Sequence, residues 1–427
     1  MSVSRRGFIS GVTVAASSVA LASGLNSGVN KAHASASMPA DEPESTNEAD
    51  SKRLGQATVE FDGEHQAGIA TAQPAHLNLV AFNLKDDVDR AGLRRLMRLW
   101  TEDARALCAG DPPLGSLEPE MAQTPANLTI TVGFGPGAFD AADVSDQKPG
   151  WLKPLPEFSL DQLEDKWGQS DLVLQICSDD PTTASFAMRH MVRSGTDYVD
   201  TGWLQQGFLS ADGALPKDST PRNLFGQVDG TVNPRIDEEY SEQVWIDEGA
   251  DFTRGGTSMI VRRINMNLDT WEMLDRVSRE NSMGRNLTNG APLTGTDEFD
   301  DPDYDAIDKY GLPVIDKNSH MARAKAPYDH PEQKFKRRPY NYDIQPDPAL
   351  GQLSNAGLVF IAFQKDPDVQ YVPVQQRLDE SDRLNTWISH IGSAVYWVPP
   401  GVSVDGERDK FWAESLLIDE AKPDAES

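Results

Sequence analysis

Residues 220–234 read Thr-Pro-Arg-Asn-Leu-Phe-Gly-Gln-Val-Asp-Gly-Thr-Val-Asn-Pro, and the other motifs of the chain are arranged around this stretch. Two glycines, Gly226 and Gly230, flank Asp229. Glycine adopts backbone conformations that are closed to larger residues, so this arrangement lets the backbone turn tightly beside a flat ligand while Asp229 stays above it. A Gly-x-x-Asp-Gly pattern alone is more often a plain surface turn, so the neighbouring motifs have to decide between the two interpretations.

Several further motifs occur in order on both sides of this stretch. They are Thr-Val-Gly-Phe-Gly-Pro-Gly at 131–137, Asp-Leu-Val-Leu-Gln-Ile-Cys-Ser-Asp-Asp at 171–180, Gly-Arg at 284–285, Gly-Ala-Pro-Leu at 290–293 and Gly-Leu-Val-Phe-Ile-Ala-Phe-Gln at 357–364. With them the chain resembles the dye-decolorizing-type haem peroxidases over roughly residues 58–418, in particular the exported branch that includes deferrochelatases. The resemblance implies one haem b per chain, hydrogen peroxide as oxidant, and a bulky organic molecule or haem itself as substrate.

The first 34 residues carry the features of a twin-arginine signal peptide. Ser-Arg-Arg-Gly-Phe-Ile at 4–9 is followed by a mildly apolar run and then by Ala-His-Ala at 32–34, a small-residue cleavage site. The run is too short and too weakly apolar to span a membrane. Residues 35–57 are predicted to form a flexible linker, and residues 419–427 an acidic tail. We therefore expect export to the periplasm or another extracytoplasmic compartment.

The chain is strongly acidic. Its net charge of −28 becomes −31 when Arg5, Arg6 and Lys31 leave with the leader. This charge predicts no nucleic-acid partner and repulsion from anionic membranes, and it is equally typical of adaptation to a salty habitat. Cys108 and Cys177 lie in apolar surroundings and are predicted to be buried free thiols. No Cys-x-x-Cys-His occurs, which excludes haem attached through cysteine.

Hydrophobic periodicity predicts a strand-helix-strand succession that occurs twice. Predicted strands lie at 75–84, 128–134, 172–177, near Trp203, and at 257–266, 358–364 and 394–398; predicted helices lie at 93–107, 181–192, 268–277 and 384–391. The alternation in 128–134 predicts one exposed face. These elements indicate a duplicated ferredoxin-like α+β fold, barrel-like, with antiparallel sheets and outer helices. We expect halves at 58–219 and 220–418, the second carrying the haem site.

The charged stretch 286–345 has no predicted regular structure, which is typical of a functional or disordered segment. It contains two histidines, and a haem iron needs an axial ligand. Ser-His-Met-Ala-Arg-Ala-Lys-Ala-Pro at 319–327 resembles the axial-histidine segment of the family, which implies that His320 holds the iron. His330 is the alternative, although Tyr-Asp-His-Pro is more typical of a turn. Asp382, or Asp379 in its place, could orient the imidazole, and both suit a helix N-cap equally well.

On the opposite side of the haem a peroxidase needs a proton shuttle and a positive charge. Residues 334–342 resemble the Arg-Arg-x-x-x-Tyr segment of the family, which implies that Arg337 braces the peroxide; Arg338 is the alternative, and a basic surface patch is the non-functional interpretation. Asp229 would take a proton from the near oxygen of hydrogen peroxide and return it to the leaving oxygen. The resemblance also implies two haem-contacting runs, Gly230, Thr231 and Val232, and Lys325, Ala326 and Pro327.

One alternative function is a non-enzymatic extracytoplasmic haem carrier, in which His320 binds haem and Asp229 is a bystander. The resemblance also suggests an iron-permease system as partner and a homodimer, and the sequence decides neither.

Overall fold

The computed structural model describes residues 54–216, 219–346, 349 and 351–418. The predicted leader at 1–34, all but the end of the linker at 35–57 and the tail at 419–427 lie outside the described residues and stay predictions. Among the helices that are described, none is both long and apolar enough to cross a membrane.

The N-terminal half contains four strands and three helices. They are β1 (His76–Leu84), α1 (Arg90–Ala109), β2 (Thr129–Phe134), α2 (Pro136–Ala141), β3 (Leu172–Ser178), α3 (Pro181–Ser194) and β4 (Val199–Phe208). Helix α1 begins after Asp89, whose carboxylate accepts the Gly92 N–H, and ends at Gly110, which has a φ of 82°. The predicted helix stop at Gly110 is therefore confirmed.

The C-terminal half repeats the strand pattern with more helices between the strands. Its elements are α4 (Ile236–Gln243), β5 (Thr257–Met266), α5 (Leu268–Trp271), α6 (Arg276–Met283), α7 (His320–Ala324), β6 (Lys336–Arg337), β7 (Tyr340–Ile344), β8 (Asn355–Gln364), α8 (Tyr371–Ser381), β9 (Ile388–Val398) and α9 (Glu414–Leu417).

The strands form one antiparallel sheet that closes on itself. Its order is β5-β9-β2-β3-β1-β4-β7-β8, β6 continues the line of β7 along β8, and β8 pairs back to β5. Each half has the strand order of a ferredoxin-like repeat, β4-β1-β3-β2 and β7-β8-β5-β9. The halves meet at two seams of one residue pair each, Phe134–Trp397 and Phe208–Asn341. The duplicated ferredoxin-like α+β fold is confirmed, and the exact boundary at 219/220 stays a prediction.

Side chains alternate between the inside and the outside of this closed sheet. One apolar cluster comes from alternate strand positions such as Leu79, Val261 and Ile361, as expected for the barrel interior. A second joins the other strand faces of the N-terminal half to α1 and α3. A third contains Phe225, Met266, Trp271, Met283, Leu358 and Leu384. This third cluster contains residues from the segment before Asp229 and from the segment after Asp382, so it connects the two segments that carry these predicted site residues.

The stretch 286–345, for which no regular structure was predicted, contains α7, β6 and β7. Three further local predictions are wrong for tertiary reasons. Both faces of β2 are buried, because the closed sheet encloses Thr131, whose hydroxyl donates to the Ala67 carbonyl at 2.6 Å. The helix predicted at 268–277 is interrupted, because Asp275 caps a new helix by accepting the Ser278 N–H. The helix predicted at 384–391 becomes a short 3₁₀ turn followed by β9, because pairing with β5 begins at Ile388 and overrides the helical periodicity.

The two cysteines are buried free thiols, as predicted. Cys108 lies in α1 and Cys177 in β3. Burial raises the pKa of the Cys108 thiol to about 12, and burial also raises that of Cys177. Neither side chain therefore supplies a thiolate near neutral pH.

A buried histidine makes the stability of the fold depend on pH. His390 in β9 is 3% exposed, and its Nδ1 lies 3.8 Å from Asp161 Oδ1 and has no hydrogen-bond partner among the described residues. Burial, and then the charge of Arg262, lowers the pKa of His390 from 6.5 to about 3. The unfolded chain takes up this proton at a higher pH than the folded chain does. Its contribution to stability is therefore complete above about pH 6.5 and is lost as the pH falls towards about 3.

We expect a His390→Gln variant to lose less stability than the parent protein between about pH 7 and about pH 5, by up to about 1.4 kcal/mol per pH unit. The free energy of unfolding and the thermal midpoint, measured across this range by denaturant titration and calorimetry, check this. The same change at His330, whose side chain is 53% exposed, is the control and should leave the pH dependence unaltered. Parallel profiles for His390→Gln and the parent would contradict the prediction.

Candidate active site

The loop that carries Asp229 follows β4 and is shaped by its glycines and by Asn223. Gly226 and Gly230 have φ values of 79° and 137°, which larger residues rarely adopt. The Asn223 side-chain oxygen accepts the Phe225 N–H at 3.0 Å, and its Nδ2 donates to Asp229 Oδ2 at 3.2 Å. Asn223 therefore both folds the loop and holds one oxygen of Asp229. Asn223 was not among the site residues predicted from the sequence, although Asn in a turn beside glycine is a usable signal.

Arg222 fastens the same loop to the segment after α6. Its guanidinium donates to the carbonyls of Gly226 at 2.8 Å, Leu287 at 2.8 Å and Thr288 at 2.9 Å. Because all three partners are backbone carbonyls, Arg222 holds the backbone of the loop in place. It was also not predicted as a site residue.

The second oxygen of Asp229 is held by Arg337. Arg337 Nη1 lies 3.0 Å from Asp229 Oδ1, with side chains only 22% and 18% exposed. The backbone of Arg337 is anchored in turn by Asn233, whose Oδ1 accepts its N–H at 2.8 Å. Arg338 instead donates to the carbonyls of Thr71 and Ala72 and is 1% exposed. Of the two arginines considered from the sequence, Arg337 is the one that contacts Asp229.

His320 is the first residue of α7 and is oriented by a buried carboxylate. Its Nδ1 donates to Asp382 Oδ2 at 2.6 Å, and Asp382 Oδ1 accepts the Leu384 N–H at 2.9 Å. The side chain of Asp382 is completely buried, whereas that of His320 is 31% exposed. Since Nδ1 is engaged, Nε2 is the ring nitrogen available to a metal.

The two alternatives considered from the sequence make other contacts. His330 is 53% exposed, and its Nδ1 contacts Glu332 at 2.9 Å. Asp379 accepts the N–H and the hydroxyl of Ser159. Asp382, not Asp379, is therefore the partner of His320.

Short helix α7 is held against α8 by reciprocal arginine contacts. Arg323 Nε donates to the Arg377 carbonyl at 2.9 Å, and Arg377 Nη2 donates to the Lys325 carbonyl at 3.1 Å. Arg323 also pairs with Glu380 at 2.6 Å. These contacts fix the start of α7, and with it His320, relative to the segment that supplies Asp382.

Electrostatics links His320 to the Asp229–Arg337 pair. Burial lowers the pKa of His320, but the charge of Asp382 and its hydrogen bond outweigh burial, so the pKa is raised above 6.5. The charge of Asp229 raises the same pKa and that of Arg337 lowers it. These effects indicate that the four side chains belong to one site.

The two runs predicted to contact haem flank these side chains. Gly230 lies beside Asp229, Thr231 donates to Glu298 Oε1 at 2.8 Å, and the Val232 carbonyl accepts Arg337 Nη2 at 3.3 Å. Lys325 ends α7 with its ammonium 3.9 Å from the centre of the Tyr304 ring, and Ala326 and Pro327 follow it, half-buried. Their contacts with haem stay predictions.

The residues present fit a haem. An imidazole with Nδ1 tied to a carboxylate is a suitable axial donor, and the third apolar cluster supplies Phe225, Met283 and Leu384 from the segments on both sides. A cavity of about 260 Å³ lies against Asp229 and Arg337, and Leu358 of the apolar cluster is in its wall. His320 is not among the residues that line this cavity.

Comparisons with known proteins identify the family of the chain. Residues 66–209 match the description "Dyp-type peroxidase, N-terminal" and residues 220–403 match "Dyp-type peroxidase, C-terminal". The dye-decolorizing peroxidase of Thermobifida fusca is 34% identical over 413 residues, which cover 93% of this chain and 94% of that protein. The deferrochelatase of Escherichia coli K12 is 33% identical over 375 residues, 84% of this chain and 86% of that protein.

Among solved structures, the DyP-type peroxidase of Cellulomonas bogoriensis has a TM-score of 0.81 and 45% identity, and covers 85% of this chain and 99% of that chain. The matches span both halves of the fold and the segments that carry Asp229, His320 and Arg337. The chain therefore belongs to the Dyp-type peroxidase family of haem enzymes.

Proposed function

We propose that this protein is an exported haem b peroxidase in which His320 binds the iron. Asp229 transfers the proton of the peroxide, and Arg337 supplies the positive charge beside it. The assignment rests on the 3.0 Å contact between Arg337 and Asp229. The charges of both residues also affect the pKa of His320, the partner of Asp382. When bound, haem supplies the redox-active iron at which peroxide is reduced.

His320 and Asp382 act together as the axial support. Asp382 accepts the hydrogen bond that Nδ1–H donates, which fixes the ring orientation, would leave Nε2 for the iron and increases the basicity of the imidazole.

Asp229 acts as the proton shuttle for peroxide. One of its oxygens faces Arg337 and the other faces Asn223, so the carboxylate is held in a single orientation. It would accept one proton of hydrogen peroxide and donate it to the oxygen that leaves as water, while haem, when bound, would supply the two electrons for breaking the O–O bond. The positive charge of the Arg337 guanidinium would balance the negative charge that develops as the O–O bond breaks.

Replacing the axial support should weaken haem binding. We expect His320→Ala to lose the Soret band after purification with haem supply, and Asp382→Asn to bind haem about 10- to 100-fold more weakly. Haem titration followed by absorbance measures both. His330→Ala is the control and should bind haem like the parent. A Soret band that is unchanged in His320→Ala would reject His320 as the ligand.

Replacing the shuttle should leave haem bound but slow its reaction with peroxide. We expect Asp229→Asn to react with one equivalent of hydrogen peroxide about 10²- to 10⁴-fold more slowly, because an amide cannot accept the proton. Stopped-flow absorbance measures this rate. Asp368→Asn, a surface acid paired with Lys153, should react normally. A parent protein that only bleaches, with Asp229→Asn behaving identically, would instead support the haem-carrier function, which the comparisons do not favour.

Two kinds of substrate are compatible with the site. The name of the Thermobifida relative concerns dye oxidation and that of the Escherichia relative concerns iron removal from haem. We propose that this protein oxidises bulky organic molecules with peroxide and also releases iron from haem, two protons replacing the iron on the intact porphyrin.

Product analysis separates the two activities. Incubation with excess haem should produce the fluorescence of metal-free porphyrin, and incubation with a dye and peroxide should remove the dye colour. Dye oxidation without any porphyrin fluorescence would leave peroxidation as the sole activity.

The leader and the family resemblance motivate proposals about location and partners. We propose that residues 1–34 direct export by the twin-arginine route, that the mature protein works outside the cytoplasm beside an iron permease, and that it forms a homodimer. A reporter fused to the leader should reach the periplasm and should stay inside when Arg5 and Arg6 are both changed to Lys. Sedimentation equilibrium and co-purification with the permease test the other two proposals, and a monomer or an absent permease rejects them.

A further inference from the structure

The cavity beside Asp229 lies at a seam of the closed sheet. Strands β4 and β7 are joined by a single residue pair, Phe208–Asn341. Asn341 and Leu209, which directly follows Phe208, both line the cavity. Because only one residue pair joins β4 to β7, the two halves leave room for a ligand next to Asp229 and Arg337.

The charge of this cavity is opposite to that of the protein. Arg222, Lys336 and Arg337 line it, and among the residues that the structure describes Asp229 is the one carboxylate in its wall. The whole chain carries a net charge of −28. A positive cavity in so acidic a protein favours an anionic group within it.

Lys336 contributes a positive charge that no acid balances. Arg222 is bonded to three carbonyls and Arg337 to Asp229. In the part of the chain that the structure describes, the ammonium of Lys336 has neither a carboxylate nor a hydrogen-bond partner. By contrast, Lys334 on the same segment pairs with Glu239 at 3.1 Å. Burying an ammonium without a counter-charge costs free energy, which suggests that a bound ligand supplies the negative charge.

We infer that this cavity binds a carboxylate-bearing ligand, with Lys336 as the charged anchor. Its volume of about 260 Å³ suits a single aromatic ring. Leu209, Pro339 and Leu358 supply apolar wall for the ring, while the ammonium faces the carboxylate. The carboxylate belongs either to a free aromatic acid or to a haem propionate. The binding itself is independent of the proposed function; only the interpretation of the ligand as a peroxidase substrate rests on it.

The charge state of the anchor gives the site a pH limit. Burial, and then the charges of Arg338 and Arg337, lower the pKa of Lys336 to about 8. Asp229 and Arg222 face the same cavity from the loop, and Phe363 of β8 is the strand partner of Lys336. The ammonium is present below about pH 8 and is lost above it, so anion affinity should fall as the pH rises through this value.

Calorimetric titration of benzoate into the haem-loaded protein tests the inference without any turnover. We expect benzoate to bind at least about tenfold more tightly than neutral benzamide, and Lys336→Gln to lose at least about tenfold in benzoate affinity. Lys336→Arg should keep the affinity to higher pH, and Lys334→Gln is the matched control with unchanged binding. Lys336→Gln should also be at least as thermally stable as the parent without ligand, which separates lost binding from lost folding.

The haem-free protein distinguishes the two sources of the carboxylate. Benzoate binding to the haem-free form alone, together with faster haem loss from Lys336→Gln to apomyoglobin, assigns the anchor to a haem propionate. Binding to the haem-loaded form assigns it to a free acid. Equal affinities for benzoate and benzamide, or a Lys336→Gln variant that matches the parent in both benzoate binding and haem loss, would overturn the inference. A failure of Asp229→Asn to slow the peroxide reaction would affect only the proposed function.

Discussion

The ion pair between Arg337 and Asp229 is the contact on which the site depends, because it joins a strand of the sheet to a glycine-rich loop. The hydrogen-bond partners show which of the two neighbouring arginines makes it. Arg337 reaches Asp229, and Arg338 is buried against the Thr71 and Ala72 carbonyls. Arg338 lies in the short interruption between β6 and β7, and both arginines have hydrogen-bond acceptors. The loop is therefore fixed from both sides, by Arg337 on one Asp229 oxygen and by Asn223 on the other.

The two ferredoxin-like halves share a strand order but use their outer faces differently. In the N-terminal half the continuous helix α1 packs directly on the sheet, and residues 110–128 lead on to β2. In the C-terminal half the corresponding helix is divided into α5 and α6, and residues 284–335 precede β6. This longer connection supplies α7 and therefore His320. Duplication therefore provides the shared scaffold, and the longer connection of the C-terminal half adds His320 to that half alone.

Charge is distributed unevenly in this acidic chain. Its cations are concentrated where the backbone or a carboxylate uses them: Arg222 on loop carbonyls, Arg323 and Arg377 between α7 and α8, Arg337 on Asp229. Such contacts specify a geometry more than they stabilise the fold, since the lost hydration of the charged groups offsets much of their attraction. Within the described residues Lys336 has no such partner, and this is the basis for inferring a ligand beside it. The same principle makes His320 dependent on Asp382, whose buried carboxylate would be costly without the imidazole and the Leu384 N–H.

The amino-acid sequence alone predicted the fold class and the family resemblance, because glycine spacing, strand periodicity and short motifs are local properties, and through that resemblance it proposed Asp229 and His320 as site residues. It also predicted Asp382 and Arg337, but each with a neighbour that local pattern could not reject. Tertiary structure decided these choices, since they depend on which side chain meets its partner across more than sixty residues of chain. It also revealed Asn223, Arg222 and Lys336, and it made both faces of β2 buried and Ile388 a strand residue. Those outcomes follow from closure of the sheet, a long-range constraint that no window of sequence contains.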